Sequence, residues 1–138
     1  MARSLSRWLE PADDALHLAI HARSDDEFVG FCHVAFIDRH NRRCKLGLTI
    51  GEPHARRIGY GKEAVGELVR HCFEDLGLNR VAAEVYDFNP AAVRLLERLG
   101  FRREGVLRQN VWKGEFRDEW AYGLLASEWA SRSTGPGA

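Results

Sequence analysis

Arg56-Arg57-Ile58-Gly59-Tyr60-Gly61-Lys62-Glu63-Ala64-Val65 is the stretch on which the fold turns. Two glycines stand one residue apart behind two arginines. From there Ala64, Val65, Leu68, Val69, Cys72, Phe73 and Leu76 recur at helical spacing. One apolar face sustained over about four turns predicts an amphipathic helix, with Gly77 as its stop. Gly51 to Gly61 reads as the loop leading into it. A helix start carries unsatisfied amides and a partial positive charge, and glycines let a ligand approach the backbone closely. With Arg56, Arg57 and Lys62 adding charge, the stretch suits a phosphate or pyrophosphate. The plain alternative is a glycine-containing connector with solvated arginines.

Two phosphate motifs can be tested against it. A Walker A loop needs G-x-x-x-x-G-K-[ST], but Arg56 occupies the first glycine position and Glu63 the Ser/Thr position. Gly59-Tyr60-Gly61-Lys62-Glu63-Ala64 does match the dinucleotide fingerprint. However, eight residues separate Ile50 from Gly59, and the chain is too short for two mononucleotide-binding halves. A dinucleotide-binding protein is therefore the weaker reading.

Upstream, Leu16, Leu18 and Ile20 alternate with His17, Ala19 and His21, the period of a half-buried strand. Ser24-Asp25-Asp26 is a turn, Glu27 to Ile37 a second strand, Asp38 to Arg43 another turn, and Cys44 to Ile50 a third strand. Short turns between them predict an antiparallel meander. Residues 3–9 read as the end of a helix broken by Pro11 and Asp13-Asp14. Downstream, Arg80 to Phe88 is a strand. Asn89-Pro90 opens a second helix, since Asn caps well and Pro suits the first helical position. Val93, Leu95, Leu96 and Leu99 form its apolar set and Gly100 ends it. Strands at 102–112 and 116–125 follow, joined at Lys113-Gly114. The order β-β-β-α-β-α-β-β is α+β with a mixed sheet.

The chain has 138 residues, about one domain's worth, expected over 1–130 with 131–138 as a flexible tail. Lys plus Arg is 20 and Asp plus Glu is 20. Zero net charge argues against a nucleic-acid partner and against a polybasic membrane surface. No apolar run approaches a membrane span, and the N-terminus lacks a signal-like apolar stretch, so the expected compartment is the cytoplasm. Cys32, Cys44 and Cys72 lie in apolar runs without a C-x-x-C and read as inert core thiols. His17 and His21 share a strand face, but no third ligand is near in sequence, so no metal is expected.

The arginine-glycine stretch resembles the acetyl-CoA pyrophosphate loop, R-x-x-G-x-G, of the GNAT superfamily of N-acetyltransferases. The run from Ile50-Gly51-Glu52-Pro53 through Gly61-Lys62-Glu63-Ala64 is similar to the branch containing ribosomal-protein N-terminal acetyltransferases. So are Leu76 to Val81, Asn89 to Val93, Leu99-Gly100-Phe101 with Glu104-Gly105, and Asp118 to Trp129. The resemblance spans roughly residues 14 to 129. It implies a mixed, centrally splayed sheet flanked by helices, with acetyl-CoA as co-substrate and an amine as acceptor. Backbone amides of Arg57, Ile58, Gly59, Tyr60 and Gly61 would hold the pyrophosphate, with Arg56 and Lys62 beside them. Ile50 would pair by main chain with the pantetheine arm, which Asn89 would also bond.

A base must take the amine proton. By the same resemblance Glu84 aligns with a glutamate that some N-terminal acetyltransferases use, and Glu52, at the mouth of the loop, is the second candidate. Either could instead be a structural carboxylate. The chain departs from many relatives at two places. Leu96 stands where a tyrosine would protonate the departing thiolate, and Ala92 where others carry a serine. Water, Tyr86 or Tyr122 could serve, and an acyl-CoA-binding pseudoenzyme or interaction module is the alternative. Relatives also begin with a strand and two helices, so the N-terminal strand and helix region is expected to be shortened. A bare sheet edge would follow, which implies either a truncated version of a longer protein or an oligomer, in the favoured case a homodimer, whose partner covers that edge through residues such as Trp8.

Overall fold

The meander is present. In the computed structural model, which describes residues 4–8, 14–22, 28–50 and 55–134, β2 (Leu16–Ala22), β3 (Phe28–Asp38) and β4 (Arg43–Ile50) run antiparallel. The alternation in β2 has the expected sense: Leu18 and Ile20 are buried while His17 is exposed.

The reading of residues 3–9 as a helix end is overturned. Ser4–Trp8 form β1, antiparallel to β2 with Ser4 opposite Ala22 and Trp8 opposite Leu18. Five residues are too few to display a helical period, and the free backbone edge of β2 offers a ladder of partners. Tertiary pairing decides where local pattern cannot. The edge expected to be bare therefore carries β1, and the argument for a partner chain at that edge falls away.

Past β4 the chain enters α1 (Ala55–Arg70), which continues as a wider helical turn over His71–Asp75. The helix thus begins well before the expected point, and Arg56 to Gly61 are helical rather than loop. Glycine costs a helix interior about 1 kcal/mol against alanine. The buried stripe of Ala64, Val65, Leu68, Val69, Cys72 and Phe73 against the sheet outweighs that. The wider turn keeps Cys72 and Phe73 facing the core, and Gly77, at φ +67°, ends the helix as anticipated. β5 (Arg80–Tyr86) and α2 (Pro90–Arg98) follow; Asn89 caps α2, its side chain accepting from the Ala92 N–H at 3.2 Å. Gly100, at φ +98°, turns the chain into β6 (Arg102–Trp112), which pairs with β7 (Phe116–Leu125).

The last element, α3 (Ala126–Thr134), was not foreseen, and Ser131 to Thr134 of the expected tail belong to it; residues 135–138 lie outside the described residues. It is held by tertiary contacts that no local pattern announces. Trp129 packs on Phe73, ring centroids 6.0 Å apart, and its indole N–H donates to Glu74 at 3.0 Å. Glu128 accepts the Leu125 N–H at the helix start.

The strands make one seven-stranded sheet in the order β1-β2-β3-β4-β5-β7-β6, parallel between β4 and β5 and antiparallel elsewhere. The helices share one core on one face, where Ile20, Val34, Leu46, Val81, Leu96 and Leu124 are almost wholly buried. No described helix covers the opposite face, where Phe31 and Phe36 stand exposed. There Arg80 and Glu104 form a two-pronged ion pair directly over Gly123, where any Cβ would strike both side chains.

Leu46 is 1% exposed and sits in β4 under α1. Leu46→Ala should lower unfolding free energy by about 2–5 kcal/mol. Urea titration should show this as a lower midpoint at unchanged slope; a loss under 1 kcal/mol would show that the site collapses around the missing methyls.

Candidate functional site

The parallel junction of the sheet is short. β4 and β5 pair only from Arg43 opposite Arg80 to Leu46 opposite Ala83. Beyond that point β4 runs on to Ile50, still paired with β3 through Gly30 opposite Ile50. β5 runs on to Tyr86, still paired with β7 through Tyr86 opposite Glu119. Each strand follows its outer neighbour, and the twist of the sheet opens a gap between them. Gly47 to Ile50 on one side and Glu84 to Tyr86 on the other have no strand partner across it among the described residues. This is the splay the resemblance implied.

The gap lies at the carboxyl ends of two parallel strands, where open α/β sheets bind ligands. Helix α1 follows β4 and α2 follows β5, so both amino-terminal dipoles lie at that end. With α1 beginning at Ala55, the amides free of intrahelical bonds are those around Arg56 and Arg57. Those of Gly59, Tyr60 and Gly61 fall within the helical ladder, deeper than the expected cradle. Lys62 is exposed on the second turn and Gly61 is buried. Ile50 ends β4 on the edge of the gap. Asn89 stands at the start of α2 with its carbonyl oxygen engaged by the cap, which leaves its amide NH2 to donate.

Of the two carboxylates, Glu52 lies outside the described residues. Glu84 is the first residue of β5 past the last parallel pair, half-buried, and its Oε2 receives the Lys45 ammonium at 2.9 Å. Sequence reasoning did not find Lys45, because only the sheet register brings it beside Glu84. Nor did it find His33. His17 and His33 are cross-strand partners whose rings stack at 5.2 Å with 20° between planes. His33 is in turn opposite Gly47 on β4. Its ring lies over that glycine: an added Cβ would sit 2.6 Å from Nε2 and 3.0 Å from Nδ1. The row His17, His33, Gly47 thus crosses three strands on the uncovered face and ends where the gap opens, with Glu84 next across it. Burial first, and then the neighbouring His17, hold the His33 imidazole below its usual value.

No described residue of α2 replaces the missing proton donor. Leu96 and Ala92 are both buried. Tyr122 reaches α2 from β7, where its hydroxyl donates to Glu97 Oε2 at 3.1 Å; burial, then Glu97, push it above the ordinary phenol range. Tyr86 stacks on Phe88 at 5.0 Å at the end of β5. The cysteines are core, as expected: all three are buried, Cys44 and Cys72 have sulfurs 3.8 Å apart, and burial pushes the Cys32 thiol up to about 12.

Residues 1–102 match the family model described as the acetyltransferase (GNAT) domain. The chain is 35% identical over 117 residues to the uncharacterized N-acetyltransferase p20 of Bacillus licheniformis, covering 84% of this chain and 65% of that protein. It is 32% identical over 131 residues to the prophage-derived uncharacterized N-acetyltransferase YokL of Bacillus subtilis, covering 92% of this chain and 72% of that protein. A solved structure titled a probable acetyltransferase superposes with a TM-score of 0.77 at 27% identity, covering 85% of this chain and 65% of the other.

His33 generates a stability prediction. Its proton affinity is lower in the fold than in the unfolded chain, so the unfolded chain binds the extra proton. Stability then rises with pH between the lowered value and about 6.5, and is lost as pH falls below about 6.5. Urea midpoints from about pH 5 to 7.5 should rise less steeply for His33→Gln than for the parent chain; parallel curves would show that His33 titrates alike in both states.

Proposed function

The chain belongs to the GNAT family of acetyltransferases, and on that premise we propose that it moves an acetyl group from acetyl-CoA to a primary amine held on the uncovered face. The observation that carries this reading is the gap between β4 and β5. Its edges offer unpaired backbone N–H and C=O groups to an extended, amide-bearing arm, the way an added strand is held. Bound there, acetyl-CoA would supply an acyl group activated as a thioester.

This chain's residues then have distinct roles. Gly47 to Ile50 would bond the pantetheine arm by main chain, and the Asn89 amide would donate to it. The first amides of α1, with Arg56 and Arg57, would face the pyrophosphate, and Lys62 would add charge. Glu84 and Glu52 remain the carboxylate candidates for base. Glu84 is placed at the gap but shared with Lys45. A backbone N–H on the splayed β4 could stabilise developing negative charge on the acyl oxygen. An unblocked protein N-terminus and a small polyamine are both acceptors of the required chemistry. We further propose that the reaction runs in the cytoplasm.

The second reading, an acyl-CoA-binding module without turnover, has one observation in its favour: neither Leu96 nor Ala92 can protonate a departing thiolate. A thiol with an ordinary pKa near 8.5 leaves without such help, which favours the enzyme.

Calorimetry should show binding of acetyl-CoA and, for acetyl-pantetheine lacking the nucleotide, at least about tenfold weaker affinity. The double substitution Arg56→Ala, Arg57→Ala should remove most of that difference, as charge-assisted bonds to phosphate are worth about 1.5–3 kcal/mol each. Release of CoA thiol is then followed with an unblocked peptide and with spermidine. Binding with no thiol release from either would favour the module, and no binding would overturn both readings.

A further inference from the structure

We propose that the His33 imidazole receives the proton of the attacking amine. The inference rests on the acetyl-transfer reading above and names a residue that reading does not use.

The geometry carries it. Along the uncovered face His17, His33 and Gly47 are successive cross-strand partners, and Gly47 is the first residue of β4 past the last parallel pair. Because Gly47 has no side chain, the His33 ring can lean over it toward the gap. The Cε1 edge, with a nitrogen on either side, is the part of the ring nearest that glycine. An amine approaching an acyl group held beside Gly47 from the uncovered face meets this edge. Behind His33 the exposed His17 ring stacks against it and holds its orientation, while His33 itself is half-buried and within reach of water.

The strands beside His33 bring charged and titratable groups near it among the described residues. His17 and His21 come from β2, Lys45 from β4, and Glu84 from β5 across the gap. Lys45 and Glu84 are bonded to each other, so Glu84, at the edge of the gap, already holds a cation. Burial and His17 both favour the neutral imidazole, the form with a lone pair to accept a proton. The step balances simply. The amine nitrogen bonds to the acyl carbon, the carbon–sulfur bond breaks with its electron pair going to sulfur, and the nitrogen's proton goes to a ring nitrogen of His33. His33, only half-buried, returns to its neutral form by releasing the proton to water.

The test is steady-state acetyl transfer across about pH 5 to 9, to the faster of the two amines or, if neither reacts, to water. His33→Gln should leave acetyl-CoA affinity and KM near the parent values, lower kcat by about 10²-fold, and abolish the acid limb of the parent profile. Added imidazole should restore part of the rate of His33→Ala. In the parent enzyme that limb should coincide with the His33 titration followed by NMR, a comparison that needs no variant to fold. Unchanged kcat in His33→Gln would overturn the proposal. So would a lowered kcat that keeps its acid limb, an NMR titration that misses the limb, or failure of imidazole to rescue, since each marks a ring that only packs on Gly47. Failure of the parent chain to bind acetyl-CoA would overturn the acetyl-transfer reading itself, and the proposal with it.

Discussion

Everything at the site depends on two strands that cannot stay together. β4 is paired along its whole length to β3, and β5 along its whole length to β7, but the two are paired to each other only from Arg43–Arg80 to Leu46–Ala83. A backbone edge left without partners is costly in a buried place and useful in an open one. Here the gap opens at the carboxyl ends of the parallel pair, where helices α1 and α2 also begin. An extended ligand can complete the ladder that the strands leave incomplete.

The helical face pins this arrangement. Leu46 and Val81, on either side of the parallel junction, are almost wholly buried beneath α1 and α2, with Val65, Val69, Leu95 and Leu96 packed into the same core. Such packing resists local change, so the splay is a property of the whole sheet and not of one loop. Tyr122 belongs to the same scaffold: it fills the core from β7 while its hydroxyl holds Glu97 on α2. No described helix covers the opposite face, and among the described residues it carries the contacts of Lys45 with Glu84, His17 with His33, and Arg80 with Glu104.

Much of the fold was legible because its signals are local. The alternation of Leu16 to Ile20, the stripe from Ala64 to Phe73, the Asn89-Pro90 cap and the positive-φ glycines Gly77 and Gly100 each state a period or a turn within a few residues. The misses lie where tertiary contact competes with local preference. Ser4–Trp8 is a strand because β2 has an edge to fill. Arg56–Gly61 is helical because the stripe behind it packs. Ser131–Thr134 is helical because Trp129 docks on Phe73 and bonds Glu74.

For the site, the sequence by itself determined the family, the start of α2 at Asn89-Pro90, and the absence of a hydroxyl at positions 92 and 96, since each is carried by residue identity at a fixed spacing. It also placed Glu84 on β5 and Asn89 at a cap. Only the tertiary structure decided what those residues meet. Lys45 and Glu84 are 39 positions apart, and His17, His33 and Gly47 sit on three different strands. A one-residue slip of register would send each to the other face of the sheet. Register is fixed by the buried set of Leu18, Ile20, Cys32, Val34, Cys44 and Leu46, all facing the helices together. That shared burial is a property of the assembled sheet, and it alone puts an imidazole over a glycine at the point where two strands part.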